Sequence, residues 1–265
     1  MRRGGEPQGA ERLHRDEQRR RDEQRRRDEQ PHRDEQLHRD EERRRRLDGG
    51  PAMDTIRTMT KVRLRSDTVP ALRPSEAGAA LDVLRLLDAM GLMPLHEPVE
   101  RLDLALLRRA AQAASAAGIG RDVAALLGRG SPDAATVRRA MAILRDALEE
   151  SPMPQPEIHE LLTIFDAAEL AGLVGASQSS LRRYALGART TPDDTAGRVH
   201  WLAKVVGDLR GAYNAAGVRR WFERPRAQLD GQPPRALLLR GWDPDDPGPR
   251  AVRDLARALS GAGAT

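Results

Sequence analysis

The chain contains no cysteine. That excludes a disulfide framework, a thiolate metal site and a cysteine nucleophile, and it suits a reducing cytoplasm. Aromatic residues make up only 3%, so large rings can organise a core over only part of the length. Lysine is nearly missing: Lys61 and Lys204 are the two exceptions among 45 basic residues, and arginine supplies the rest. This bias reads first as the codon usage of a GC-rich genome and only second as phosphate recognition. No apolar run approaches the ~18–20 residues that a membrane span needs. The basic N-terminus is not followed by the apolar stretch of a secretory signal. No membrane association and a cytoplasmic location are therefore expected.

What is present is unevenly spread. Over 265 residues, 32% are charged and only 39% hydrophobic, an excess and a deficit that mark part of the chain as non-globular. The excess lies at the front, where Arg-Asp-Glu-Gln begins at Arg15, Arg21, Arg27 and Arg33, and a fifth copy from Arg39 ends in Glu42. On a helix a six-residue period turns each copy ~120° from the last, so no constant face forms. Pro31 interrupts the series. Residues 1–52 are read as a disordered charged tail that cannot bury enough surface to offset its ordering entropy. The His-Arg-Asp triplets at His14, His32 and His38 lack the rest of a kinase catalytic loop and follow from the repeat.

Residues 53–150 are rich in Ala, Leu and Arg, and predict four helices. One is capped at Ser75 and ends at Met90–Gly91. The second runs Leu102–Ala117, and the third Asp122–Leu127. A fourth is opened by Ser131-Pro132 and carries the stripe Val137, Met141, Leu144 and Leu148. This helical domain offers no nameable chemistry. The stretch Ser151–Pro156 holds three prolines and reads as a linker.

All seven aromatic residues, Phe165, Tyr184, Trp201, Tyr213, Trp221, Phe222 and Trp242, follow it. Inside that window residues 167–186 meet the requirements of a DNA-binding helix-turn-helix one by one. Ala171 is small where two helices cross, and Gly175 tolerates the positive φ of the turn. Leu170, Val174, Leu181 and Tyr184 are apolar where burial is needed. Ser177 caps the second helix and Gly187 ends it. With Leu181 and Tyr184 inward, Gln178, Ser179, Arg182 and Arg183 face outward. Gln suits adenine, Arg guanine, and Ser either base or phosphate. Ser177 opens this DNA-facing set, and Arg189 beyond the helix suits a backbone phosphate. Between Glu157 and Arg210 six basic residues face seven acidic ones, so phosphate attraction is weak per copy and a homodimer is expected. Thr191-Pro192 predicts the start of the next helix, in which His200 is read as a packed residue rather than a ligand.

The block from Tyr213 to Trp242 resembles the Xre/MbcA/ParS-type antitoxins. The resemblance rests on Gly217, Trp221-Phe222, Pro225, Leu229, Gly231, Pro234 and Leu237-Leu238, which follow the helix-turn-helix in the family's order, with a terminal helix at Arg250–Ser260. It covers about residues 157–260. Read from the residues themselves, Trp221 and Phe222 end a helix before Pro225. Pro233-Pro234 opens another through Leu237, Leu238 and Leu239, which Gly241 stops. The rings are read as core. The block carries six arginines against Glu223 and Asp230. With Val252, Leu255 and Leu259 nearby, this surface is expected to contact an acidic partner or to self-associate. The residues expected to contact a partner are Arg219, Arg220, Arg224, Val252, Leu255 and Leu259, and the resemblance implies that the partner is a RES-type toxin that consumes NAD. It also implies repression of the protein's own promoter at a double-stranded operator. The alternative is a stand-alone helix-turn-helix regulator with no toxin.

An enzyme is not expected. His159-Glu160 begins like a zinc-protease helix, but Thr163 stands where the second histidine belongs. Gly118-x-Gly120 lacks a preceding strand, and no Walker lysine motif occurs, so no cofactor or metal is implied. The expected architecture is all-α. It comprises a charged tail (1–52), a helical domain (53–150), a repressor-like helix-turn-helix bundle (157–210) and a small C-terminal helical domain (211–265).

Overall fold

One long helix sets the architecture, and most of its circumference is covered. The computed structural model describes residues 72–95, 99, 101–128, 130–238 and 241–262; the charged repeat over 1–52, and residues 53–71, lie outside the described residues. In chain order the helices are α1 (Pro74–Ala89), α2 (Leu104–Ala116), α3 (Arg121–Gly128), α4 (Ala134–Glu149) and α5 (Pro154–Leu161). They continue as α6 (Ala167–Val174), α7 (Gln178–Ala185), α8 (Asp193–Leu209), α9 (Ala215–Glu223) and α10 (Pro247–Ala262). Single 3-10 turns lie at Ala227–Leu229 and Pro234–Leu237. Among the described residues there is no strand, and no helix is long and apolar enough to cross a membrane. The fold is all-α.

Helix α8 buries 12 of its 17 residues, which only a helix packed on several sides can do. Its Ala203 joins a first core built from Leu84, Leu87, Met90, Leu107, Leu127, Leu144 and Leu148 of α1–α4. That core contains no ring. Trp201, Leu202, Val205 and Val206 join a second core with Ile158, Leu170, Leu181, Tyr184, Trp221, Phe222, Trp242 and Val252. The rings there meet edge to face, Phe165 with Phe222 at 5.4 Å and Trp201 with Trp242 at 4.8 Å, the arrangement their quadrupoles favour. Helix α1 crosses α8 closely at Gly207, where a Cβ would lie 3.4 Å from the Leu86 Cα and 3.5 Å from the Arg85 carbonyl oxygen. At the end of α8, Arg210 bonds both Asp88 of α1 and Glu160 of α5.

Several expected boundaries move. Helix α4 is capped by Asp133, whose carboxylate accepts from Thr136 N at 2.8 Å, and not by Ser131. The carboxylate also favours the positive end of the helix. The proline stretch is a linker only over 151–153, because α5 starts at Pro154 and holds Pro156 in its first turn. There backbone N–H groups have no helical partner, so prolines remove nothing. Helix α8 begins at Asp193, after Pro192 rather than after Thr191, and no side chain caps it; Asp193 and Asp194 fill its first turn. The helix expected through Leu237–Leu239 is one 3-10 turn, since Leu238 leaves the helical region at φ −103° and ψ 59° and is buried; Leu239 lies outside the described residues.

Candidate nucleic-acid interface

Helices α6 and α7 form a short pair seated on α5 and α8. Asp166 starts α6: its carboxylate accepts from Ala168 N at 2.9 Å and Glu169 N at 2.8 Å, and Glu169 accepts in return from Asp166 N at 3.0 Å. This reciprocal box fixes the entry of the helix. Leu170, Ala171, Leu173 and Val174 are buried. Gly175 then adopts φ 71° and ψ 26°, a left-handed conformation that costs a residue with a Cβ ~1–2 kcal/mol. The amide of Ala176 returns to the Ala171 carbonyl at 2.9 Å, closing the end of α6 and turning the chain.

Ser177 is extended, and its Oγ accepts from Ser180 N at 3.1 Å, capping α7. The same Oγ lies 3.0 Å from the Ser179 Oγ. Leu181, Tyr184 and Ala185 are buried, whereas Gln178, Ser179, Arg182 and Arg183 are exposed. The helix closes through Gly187 N to the Tyr184 carbonyl at 3.0 Å and Ala188 N to the Arg183 carbonyl at 2.9 Å. Arg189, also exposed, stacks over the Tyr184 ring at 5.9 Å. Beside it Leu186 is 68% exposed. Carboxylates engage Arg198, Arg210, Arg219, Arg253 and Arg257, whereas among the described residues Arg182, Arg183 and Arg189 hold none. The outer edge of α7 thus combines an amide, hydroxyls and uncompensated positive charge. Such a surface can donate hydrogen bonds to base edges and attract phosphate.

The residues assigned to a protein partner are placed differently. Arg220 on α9 and Arg224, the extended residue just after it, are exposed. Arg219 is exposed as well, although it donates to the Ile164 carbonyl at 2.7 Å and pairs with Glu169 at 3.4 Å. Val252 has no exposed surface, and Leu255 and Leu259 are half-buried against the same core. Val252 is therefore a core residue and not a contact surface: its face of α10 is spent on α8 and the second core.

The same helix carries charges that sequence reading missed. Arg253 and Arg257 each approach Glu149 at 2.9 Å, and Arg145 does so at 3.4 Å. With Asp82, Lys204 and Asp208, most of these groups line a narrow cleft between α1, α4, α8 and α10. Burial alone would raise Glu149, but Arg253, Arg257 and Arg145 outweigh it and hold its carboxyl at about 2. Burial lifts Asp208 to about 6 against the pull of Arg253 and Arg257, with Asp82 and Glu149 adding to the rise. Burial and the neighbouring arginines bring Lys204 down to about 8. Deeper still, His200 Nδ1 meets the buried Glu157 carboxyl at 2.6 Å while Nε2 faces the Glu149 carbonyl at 2.9 Å. His200 is packed as expected, with a carboxyl partner 43 residues away. Contacts of that range leave no local pattern to read. No protein-family model matches the chain, and neither does any curated protein or solved structure.

Proposed function

We propose that the chain is a double-stranded DNA-binding regulator in which α6 and α7 form a helix-turn-helix and α7 enters the major groove. The observation that carries this reading is the outer edge of α7. Gln178, Ser179, Arg182 and Arg183 are exposed together while Leu181 and Tyr184 anchor the opposite side. Gln178 reads adenine, the arginines read guanine or phosphate, and Arg189 holds the backbone. With so few cations per copy, useful affinity comes from a homodimer on two half-sites. The protein acts by binding and not by catalysis. Replacing Arg182 and Arg183 together by alanine is expected to weaken binding about tenfold, the scale of one lost base contact. Both side chains are exposed, so thermal stability is expected to be unchanged. The ligand for this titration is the duplex immediately upstream of the coding sequence, at fixed salt. Equal affinity for parent and variant contradicts the assignment.

The resemblance to the Xre/MbcA/ParS-type antitoxins extends the proposal: the regulator neutralises a RES-type NAD-consuming toxin and represses the promoter of the pair. The surface available to such a toxin is the exposed Arg220 at the end of α9 and Arg224 just after it. A second reading, the stand-alone regulator, is favoured by the burial of Val252. Copurification with a RES-type toxin encoded beside the gene, lost on Arg220→Glu with Arg224→Glu, supports the first reading. A toxin left fully active in the presence of this protein supports the second.

A further inference from the structure

Two buried side chains, both remote in sequence from the turn, converge on the carbonyls that end α6. Trp242 Nε1 donates to the Leu173 carbonyl at 2.8 Å, and Arg198 Nη1 donates to the Val174 carbonyl at 3.2 Å. The two are themselves joined, since Arg198 Nε donates to the Trp242 carbonyl at 2.7 Å. Arg198 Nη2 is held by Asp194 at 3.2 Å, and the Trp242 ring abuts Trp201 at 4.8 Å. The last carbonyls of any helix have no partner within it. Here those partners come from α8 and from the segment before α10, at the residue where the chain turns toward α7. A Cβ on Gly175 would stand 3.2 Å from Arg198 Nη1, so the guanidinium packs against the turn itself. A buried guanidinium is costly unless its donors are used, and here all three nitrogens are engaged, Nη1 by the turn, Nε by Trp242 and Nη2 by Asp194.

We propose that Arg198 and Trp242 are positioning residues for DNA recognition. By holding the Leu173 and Val174 carbonyls they fix where the chain leaves α6, and hence the angle at which α7 presents Gln178 to Arg183. Both are buried and act through α7, not on DNA. The proposal rests on the DNA-binding reading of the α6–α7 pair.

The test compares Trp242→Phe, which keeps a ring but removes the N–H, and Arg198→Lys, which keeps a charge opposite Asp194 but loses the fork. Each is titrated with the duplex upstream of the coding sequence and with a random duplex of the same length. Both variants are expected to lose about tenfold on the upstream duplex, the scale of one buried hydrogen bond. On the random duplex they stay within about twofold, because the charge is untouched. Amide exchange is expected to quicken over residues 174–186 and to stay slow in α8. Unchanged upstream affinity, with the Arg182/Arg183 double variant still weakened, overturns the positioning role and leaves the DNA reading standing. Equal losses on both duplexes with exchange faster throughout α8 reduce the pair to general stability and also overturn it. If the Arg182/Arg183 variant binds normally, the DNA reading falls. Exchange over 174–186 then decides whether the clamp orders the turn, and unaltered rates there overturn that as well.

Discussion

At the scale of the residue, His200 joins three helices. Its Nε2 must donate, because the Glu149 carbonyl at 2.9 Å can only accept. Its Nδ1 and the Glu157 carboxyl, 2.6 Å apart, therefore share one proton, either as an imidazolium beside a carboxylate or as a neutral ring accepting from an acid. His200→Ala would leave Glu157, which is 0% exposed, without that partner. Leaving a buried polar group without its partner costs about 1–3 kcal/mol, and more where it is charged. Urea unfolding is expected to register a loss of that size, and a loss under about 1 kcal/mol would contradict the pairing. Local chemistry of this kind was legible where both partners lie within one turn. Gly175 at the bend, Ser177 at the cap and the inward Leu181 and Tyr184 could be read because each obeys a rule spanning three or four residues. Arg198, Trp242 and Glu157 could not, because what defines them lies 24 to 69 residues away.

At the scale of the element, α10 is fastened to α4 through Glu149. The folded value of that carboxyl, about 2, lies below its ordinary 4.5. Its ion pairs therefore contribute stability that is complete above pH 4.5 and lost as pH falls toward 2. Glu149→Gln should unfold more readily than the parent at pH 7, and the gap should close between pH 4.5 and 2. A gap independent of pH would contradict the ion-pair account. Asp208 works with the opposite sign. Raised to about 6 from 3.8, it binds a proton more readily folded than unfolded, so its contribution improves as pH falls through 6. Helix existence was legible at this scale and helix starts were less so. Asp133 outcompetes Ser131 as a cap because a carboxylate also answers the helix dipole. Pro154 and Pro156, read as linker, sit where a first turn tolerates them. Val252, read as a contact face, is core because α10 packs on α8, which an amphipathic stripe cannot reveal: burial against the same chain and against a partner leave one pattern.

At the scale of the whole molecule, α8 belongs to both cores. Ala203 packs with α1–α4, and Trp201 and Val205 pack with the rings. Neither core can lose its partner without exposing one side of a helix that is buried almost throughout. The described helices are expected to unfold as one unit. Tryptophan emission reports only the ring-bearing core, because Trp201, Trp221 and Trp242 all lie there. Far-ultraviolet circular dichroism reports every helix. The two denaturation curves should coincide, and separate midpoints would contradict two cores joined through α8.

The proposed DNA contact lies on the outer edge of α7. Amide chemical shifts recorded while the upstream duplex is added test it most directly. The largest changes are expected at Gln178, Ser179, Arg182 and Arg183, with Arg189 following and the buried face of α8 still. Changes confined to α9 and α10, or no changes at all under low salt, would contradict it.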